Sequence, residues 1–142
     1  MAKIGKFFED LSVGDSAEMT FPVTEKVIET FAEVSQDDNP VHLDEDFAKT
    51  TQFGTRIAHG MLSAGFISAV IGTKLPGYGS IYLSQTMRFR RPVKIGDEVT
   101  VRATITALDA EKGRATVETV ALVGGKPVVD GEALVMPPRK GG

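Results

Sequence analysis

The chain has 142 residues, enough for one domain with its own hydrophobic core, and we predict a single domain over 1–142 with a frayed tail at 137–142. Its net charge is −3 and its basic residues are scattered, which argues against nucleic-acid binding. It has no cysteine, which excludes disulfides, thiolate nucleophiles and cysteine-ligated zinc and fits a cytoplasmic protein. The charged N-terminus and the lack of a long apolar run predict neither a secretory signal nor a membrane span.

The first half of the chain is predicted to hold one strand and several helical segments. Apolar residues alternate with polar ones over 17–23, which is typical of a half-buried strand. Thr24 is the predicted N-cap of an amphipathic helix that ends before Asn39, because the residue before a proline avoids the helical region. A short helix is predicted over 44–51 and a loop over 52–58.

The second half is predicted to be one buried helix followed by strands. From Gly60 the chain is apolar or small on all sides, which predicts a buried helix that ends near Pro76. Alternation of apolar and polar residues then predicts strands near 81–90, 99–107, 114–123 and 127–136. Strands grouped after helices favour an α+β fold, with an antiparallel sheet wrapped around the buried helix. Because such a sheet has an open edge, we expect a homodimer.

The stretch SQDDNPVH (35–42) contains one of the two histidines. A turn through Asn39-Pro40 would bring the Asp37 carboxylate and the His42 imidazole to one side, where such a pair holds and activates water. The alternative is a polar turn with a half-exposed histidine, since Asn, Asp and Pro are common turn residues. The neighbouring acidic residues do not match the calcium-loop pattern, so we predict no metal site.

The second histidine lies in AHGML (58–62), at the predicted start of the buried helix. Backbone N–H groups at a helix N-terminus bind anions and oxyanions, and a glycine permits close approach of the ligand. The alternative is a glycine that only eases a tight turn. Together the two motifs supply a water-activating pair and an oxyanion donor, which addition to a polarised carbonyl compound requires.

The segment FAEVSQDDNPVHLDEDFA (31–48) resembles the signature of the (R)-specific enoyl-CoA hydratases, the hydratase-2 or MaoC-like family. That signature has Gly-Asp-x-Asn-Pro-aliphatic-His at its centre, then five residues and Ala or Ser; here Gln36 stands where glycine is usual. The segments RIAHGMLSAGFISAVIG and LPGYGSIYLSQTMRFRRPVKIGDEVTVRATI are similar to the family's central helix and the strands after it. The resemblance thus covers about 8–137, nearly the whole chain.

The resemblance implies a hot-dog fold, an antiparallel sheet around a long helix, in a homodimer. It implies that Asp37 and His42 hold the water that adds to the β-carbon of a trans-2-enoyl-CoA, giving an (R)-3-hydroxyacyl-CoA. The Gly60 N–H would bind the thioester oxygen, Asn39 would fix the loop between the pair, and Ser68 would support the surroundings of the aspartate. No metal or redox cofactor is expected, because the addition of water transfers no electrons.

Several further residues are candidates for substrate contact. Side chains at the start and along the buried helix would contact the substrate, and arginines near the end of the first strand after it would meet the CoA phosphates. Core packing and a solvated sheet face are the alternatives for these two groups. The candidates are His59, Met61, Leu62, Phe66, Ile71, Arg88 and Arg90.

Two other functions fit the same fold. A hot-dog thioesterase also holds a thioester at a helix N-terminus, and a non-catalytic acyl-thioester-binding subunit of a dehydratase would usually lack one member of the Asp/His pair. The intact Asp-x-Asn-Pro-x-His element favours the hydratase. Neither the acyl chain length nor the physiological direction, hydration or dehydration, follows from the sequence.

Overall fold

The computed structural model describes residues 5–141, so the outermost residues of the predicted domain, 1–4 and 142, lie outside the described range. A short 3-10 helix at Phe8–Asp10 precedes nine elements: β1 (Ser16–Pro22), α1 (Glu25–Ser35), α2 (Pro40–Leu43), α3 (Glu45–Ala48), α4 (Gly60–Thr73), β2 (Ile81–Phe89), β3 (Glu98–Asp109), β4 (Arg114–Val123) and β5 (Lys126–Met136). The predicted strands and the long helix are confirmed. Within residues 5–141, no helix has the length and apolarity needed to cross a bilayer.

The five strands form one antiparallel sheet in the order β1-β3-β4-β5-β2. One face of the sheet is apolar because strand residues alternate, as in β3, where Val99, Val101 and Ile105 are fully buried. Ile67 and Val70 of α4 pack in the same core cluster. Full burial of such a side chain contributes about 1.5–3 kcal/mol, so the packing of α4 on the sheet is a main source of stability.

Helix α4 is not buried on every side of the single chain, in contrast to the prediction. Its core face carries Leu62, Ser63, Ile67, Val70 and Ile71. The opposite face is exposed to solvent and consists mostly of small residues, namely Met61, Gly65, Ser68 and Gly72. The all-round apolar pattern therefore reflects two faces with different surroundings, only one of which meets the chain's own sheet.

The segment after α1 forms a helix where the sequence predicted a turn. The end of α1 is marked by Gln36, whose φ of 63° lies in the left-handed region. The Asn39 side chain then accepts a hydrogen bond from the Val41 N–H at 3.2 Å and caps α2, with Pro40 in its first turn. The Asn-Pro pair thus starts a short helix that carries His42, rather than only reversing the chain.

The C-terminal segment packs against the N-terminal one, so the predicted frayed tail is wrong up to residue 140. The Phe8 N–H donates to the Pro138 carbonyl at 2.8 Å, and the Lys140 N–H donates to the Glu9 carboxylate at 2.8 Å. The Lys140 ammonium also lies 2.8 Å from the Asp10 carboxylate. Lys140, a basic residue of a kind typical of a solvated end, instead contacts Glu9 and Asp10 near the other terminus.

Candidate active site

The site is built from two segments, α2 with the loop before it and the residues that lead into α4. Ile57 forms an antiparallel bridge with Lys94, and the Ala58 N–H donates to the Val93 carbonyl at 2.7 Å. The Ile57 N–H donates to the Val41 carbonyl at 3.3 Å. The entry to α4 is therefore tied to α2 on one side and, on the other, to the chain that connects β2 with β3.

His42 is held through its ring and through its main chain. Its Nδ1 lies 2.7 Å from the Ile57 carbonyl oxygen. Because a carbonyl only accepts, Nδ1 carries the proton of the neutral ring and Nε2 keeps its lone pair. The Arg56 Nε donates to the His42 carbonyl at 2.8 Å, and the Arg56 Nη1 pairs with Glu25 at 2.8 Å. The imidazole is thus fixed in the tautomer that accepts a proton at Nε2.

The surroundings of His42 keep its ring neutral. Burial lowers the pKa of His42 below the ordinary value of 6.5, and the neighbouring His59 lowers it further. The hydrogen bond that His42 donates to the Ile57 carbonyl and the charge of Asp37 act in the opposite direction. A neutral imidazole at pH 7 is the state that a general base needs. The alternative of a polar turn with a half-exposed histidine is wrong, since His42 is only 9% exposed.

Asp37 lies on the exposed loop before α2. Its Oδ1 accepts a hydrogen bond from the Asn39 N–H at 3.3 Å, an Asx turn that orients the carboxyl group. One carboxylate oxygen of Asp37 and one ring nitrogen each of His42 and His59 lie within 4.8 Å of one another. Two acceptors at this separation are within reach of one bridging water molecule. The predicted juxtaposition of Asp37 and His42 is therefore present.

His59 contacts both members of this pair. Its Nε2 lies 2.8 Å from the backbone carbonyl oxygen of Asp37. Its ring stacks on His42, with the ring centroids 3.8 Å apart and an interplanar angle of 25°. The ring of Phe31, the first residue of the signature segment 31–48, lies 4.8 Å away in a tilted orientation. His59 is 2% exposed, and its Nδ1 has no hydrogen-bond partner within the described part of the chain.

Asp37, His42 and His59 are close enough together to be tested as a metal site. Zinc ligands direct their lone pairs at one point about 2.0–2.1 Å from each nitrogen. The rings of His42 and His59 are instead stacked, with an interplanar angle of 25°, and in-plane lone pairs of stacked rings do not converge on one point. In addition, His42 Nδ1 and His59 Nε2 are already bonded to carbonyl oxygens. The arrangement suits acid–base chemistry better than metal binding.

Gly60 is the first residue of the 14-residue helix α4, where backbone N–H groups have no acceptor inside the helix. A Cβ at this position would lie 2.6 Å from the Phe89 ring, so a side chain would displace that ring. The N–H groups and the helix dipole attract negative charge at this end. Gly60 therefore offers a backbone donor at the positive end of α4, and its lack of a side chain allows the Phe89 ring to lie against it.

A cavity of about 470 Å³ lies beside Gly60 and His59. Its size is ordinary for a small-molecule site. Asp37 and His42 are not among its lining residues, whereas His59, which contacts both, is. The wall is mostly apolar, with charge supplied by two arginines, and includes Phe53, Met61, Phe89, Val129, Arg90 and Arg91.

The predicted substrate-binding residues fall into two groups. His59, Met61 and Arg90 line the cavity, although Arg90 also pairs with Asp130 at 3.0 and 3.2 Å. The other four residues lie elsewhere in the single chain. Leu62 and Ile71 belong to the buried core, Phe66 stacks on Phe21, and Arg88 is exposed.

The remaining two predicted site residues differ in their local support. Asn39 caps α2 and donates its N–H to Asp37, so it fixes the loop as expected. Ser68 lies on the exposed face of α4, and no hydrogen bond joins it to Asp37 within residues 5–141. Its predicted support of the aspartate stays a prediction.

Three residues of the site were missed by the sequence analysis. Arg56 and Ile57, which hold His42, were assigned to a loop, and Phe89, which covers Gly60, was assigned only to a strand. For Arg56 the sequence offers one signal, its position next to an apolar stretch. An arginine that is buried beside such a stretch needs a hydrogen-bond or ion-pair partner. Ile57 acts through its backbone carbonyl and Phe89 through a contact distant in sequence, so neither residue type gave a signal.

Comparison with known proteins identifies the family and the fold of the chain. The sequence model of the MaoC-like domain family matches residues 12–125 of the chain. The chain is 53% identical over 135 residues to an (R)-specific enoyl-CoA hydratase of Rhodospirillum rubrum, covering 95% of this chain and 94% of that one. It is 49% identical to a 3-hydroxybutyryl-CoA dehydratase of Methylorubrum extorquens, covering 94% and 85%. An unliganded R-hydratase structure from Pseudomonas aeruginosa is 49% identical with a TM-score of 0.91, covering 96% and 88%, and confirms the hot-dog fold.

Proposed function

The chain belongs to the MaoC-like family, and we propose that it catalyses the (R)-specific addition of water to trans-2-enoyl-CoA and the reverse dehydration. The product of hydration is an (R)-3-hydroxyacyl-CoA. The observation that carries the proposal is the placement of Asp37 and His42 within reach of one water molecule, linked through His59 to the N-terminus of α4. Both the base and the oxyanion donor that the reaction needs are then supplied by one small region.

We propose that the water molecule donates hydrogen bonds to the Asp37 carboxylate and to His42 Nε2. The pair takes one proton as the water oxygen bonds to the β-carbon. The α-carbon then receives a proton from the same pair, so that the whole water molecule is added and the pair returns to its starting state. The addition forms a C–O and a C–H bond without electron transfer, and the Gly60 N–H is the proposed oxyanion donor, so we propose that the reaction needs neither a metal nor a redox cofactor.

Gly60 is proposed to stabilise the negative charge that develops on the thioester oxygen. Its N–H lies at the positive end of α4, and one such donor contributes about 10²–10³-fold in rate. The apolar wall of the cavity supports this role, because exclusion of water strengthens a hydrogen bond to the developing charge.

The cavity beside Gly60 is the proposed binding region for the thioester end of the substrate. Arg90 and Arg91 line it and are proposed to approach the CoA phosphates. Arg90 is paired with Asp130, so it would carry less free charge than Arg91, whose guanidinium donates to the Pro127 carbonyl and has no carboxylate partner among the described residues. The preferred acyl chain length stays open.

We propose that the chain works as a homodimer in the cytoplasm. Strand β2 is an edge of the sheet, and it exposes Ile81, Tyr82 and Leu83 by 51%, 36% and 39%. An exposed apolar edge strand is a pairing site for another chain. A second copy would also cover the small-residue face of α4. Sedimentation should therefore give twice the chain mass of 15.2 kDa.

The proposed activity is tested by incubating the protein with crotonyl-CoA and longer trans-2-enoyl-CoA substrates. Loss of the conjugated double bond, with (R)-3-hydroxyacyl-CoA as the product in chiral analysis, is the expected result. Release of free CoA without a hydroxyacyl product would show a thioesterase instead. Binding without turnover at every chain length would favour a non-catalytic acyl-binding subunit.

A further inference from the structure

His59 is a buried imidazole for which the proposed chemistry has no direct use. We propose that His59 is a positioning residue: its stacked ring fixes the plane of the His42 imidazole, and its Nε2–H fixes the main chain of Asp37. Both contacts are short, at 3.8 Å between ring centroids and 2.8 Å between Nε2 and oxygen. This role rests on the proposed function, because it concerns how the proposed catalytic pair, Asp37 and His42, is held in place.

The two contacts of His59 reach different elements. Asp37 lies on the exposed loop before α2, and its hydrogen bonds other than the one from His59 are local, to Ser35 and Asn39. His42 lies inside α2. The buried ring of His59 therefore contacts both the main chain of Asp37 and the imidazole of His42. It fixes the position of one residue relative to the other.

His59 also joins the pair to the oxyanion donor. It is the N-cap of α4, and Gly60 is the next residue. The preceding residue, Ala58, is bonded to the Val93 carbonyl at 2.7 Å, so the main chain at this point is attached to the segment that follows β2. The position of the Gly60 N–H relative to Asp37 and His42 is thus set through the peptide unit that joins His59 to Gly60. A misplacement of about 1 Å in such an arrangement lowers the rate about 10²-fold.

The buried Nδ1 of His59 indicates that the ring is not present for packing alone. This atom has no hydrogen-bond partner within residues 5–141, and an unpaired buried polar atom destabilises a fold. A phenylalanine would keep the ring and remove that atom, but it would lose the Nε2–H donor to Asp37. The polar ring is explained if the donor is needed to orient the pair.

Two substitutions separate the contacts. His59→Phe keeps a ring against His42 and loses the donor, whereas His59→Gln keeps an N–H donor toward the Asp37 carbonyl and loses the ring. We expect kcat for crotonyl-CoA hydration to fall about 10–10²-fold in each variant, with KM changed less than about twofold. His59→Phe should unfold at a urea concentration close to that of the wild type, because removal of the unpaired Nδ1 offsets loss of the donor to the Asp37 carbonyl.

Three outcomes would overturn the inference. Unchanged kcat in both variants would show that neither contact matters. A raised KM with normal kcat would make His59 the substrate contact that the sequence predicted. A loss of activity matched by an equal loss of folding stability in both variants would leave only a structural role.

The same assay distinguishes this inference from the proposed function. Absence of hydration by the wild-type chain overturns both. Wild-type activity that is lost in Asp37→Asn but kept in both His59 variants overturns the positioning role alone and leaves the hydratase assignment standing.

Discussion

Two neighbouring segments contribute to the site in different ways. The dyad segment (residues 35–43) carries Asp37 and His42, and its residues up to Pro40 are exposed. The entry segment (residues 56–60) leads into α4 and is largely buried, with its main chain paired to the segment after β2. The two groups proposed to hold the water lie on the dyad segment, while Arg56, Ile57 and His59 of the entry segment contact that segment and hold it in place. The exposed loop before α2 is thus positioned by contacts with a buried segment.

The largest effect is expected from the charge of Asp37, which tests whether the dyad segment holds the chemistry. Asp37→Asn keeps the size of the side chain but removes the base, so hydration of crotonyl-CoA should fall about 10²–10⁴-fold. The matched control is Asp38→Asn, one residue away. Asp38 borders a separate hollow with Glu33, so its substitution should leave kcat/KM within about twofold. Equal losses in both variants would contradict the assignment of the base.

The next effect is expected at the end of the entry segment. Gly60→Ala places a methyl group 2.6 Å from the Phe89 ring, so the ring or the helix start must shift. We expect kcat/KM to fall about 10²-fold, because the N–H donor moves relative to the thioester oxygen. Steady-state kinetics measures the change.

Phe89→Leu provides the control for that prediction. If crowding by the ring is the cause, adding Phe89→Leu to Gly60→Ala should recover part of the lost activity. No recovery in the double variant would mean that the methyl group blocks the substrate directly rather than through Phe89.

Arg56 connects the two segments, and its loss should affect stability more than chemistry. Arg56→Met keeps much of the buried stem but leaves the His42 carbonyl without its donor. Loss of a buried hydrogen-bond partner costs about 1–3 kcal/mol in the free energy of unfolding, which urea denaturation measures. We expect kcat to fall about 10-fold as α2 loosens. Glu25→Gln is the control, since Glu25 is 61% exposed and Arg56 keeps its bond to His42; an equal destabilisation there would assign the effect to the ion pair.

The pH dependence of activity reports how the entry segment acts on His42. Burial lowers the pKa of His42 below 6.5, with a further contribution from His59, while Asp37 acts in the opposite direction. The acid limb of kcat/KM should therefore lie below pH 6.5, since activity is lost as the ring gains a proton. His59→Phe removes one lowering influence and should move the limb to higher pH. A limb that moves to lower pH, or does not move, would contradict this account.

The lowered pKa of His42 also makes the free energy of unfolding depend on pH. The unfolded chain binds a proton at His42 near pH 6.5, whereas the folded chain binds it only at lower pH. Because the unfolded state then holds more protons, the free energy of unfolding decreases as the pH falls through this window. Urea denaturation at several pH values between neutral and acidic conditions measures the slope.

The parts of the molecule that depend on repeating side-chain patterns were predictable from the sequence. Alternation located β2 and β3, and the run of apolar residues located α4. The position of Asp37 opposite His42 followed from an Asn-Pro element. The one-turn helix α2 is too short to show a period, and its cap by Asn39 looks the same in sequence as a turn. Arg56 contacts the main-chain carbonyl of His42, and Ile57 contacts the His42 ring through its own main-chain carbonyl. Every residue type has such a carbonyl, so the sequence gives no signal for these contacts.

The smallest effect is expected at Gln36, and it tests whether strain in the dyad segment contributes to the site. Gln36 has a φ of 63°, a conformation in which a Cβ costs about 1–2 kcal/mol. Gln36→Gly removes that cost but gives the unfolded chain more freedom, an opposing effect of about 0.4–1 kcal/mol. The net gain in the free energy of unfolding should thus be about 0.5–1 kcal/mol in urea denaturation.

Gln36→Ala separates the backbone effect from loss of the side chain. Alanine keeps the Cβ, so it should give no gain, and an equal gain in both variants would contradict the strain explanation. Activity of Gln36→Gly should stay within about twofold of wild type, although the substitution lies next to Asp37. The reason is that the Asp37 carbonyl remains bonded to His59 and His42 remains bonded to Ile57. A large change in kcat would instead show that the dyad segment sets its own geometry, and that the entry segment only supports it.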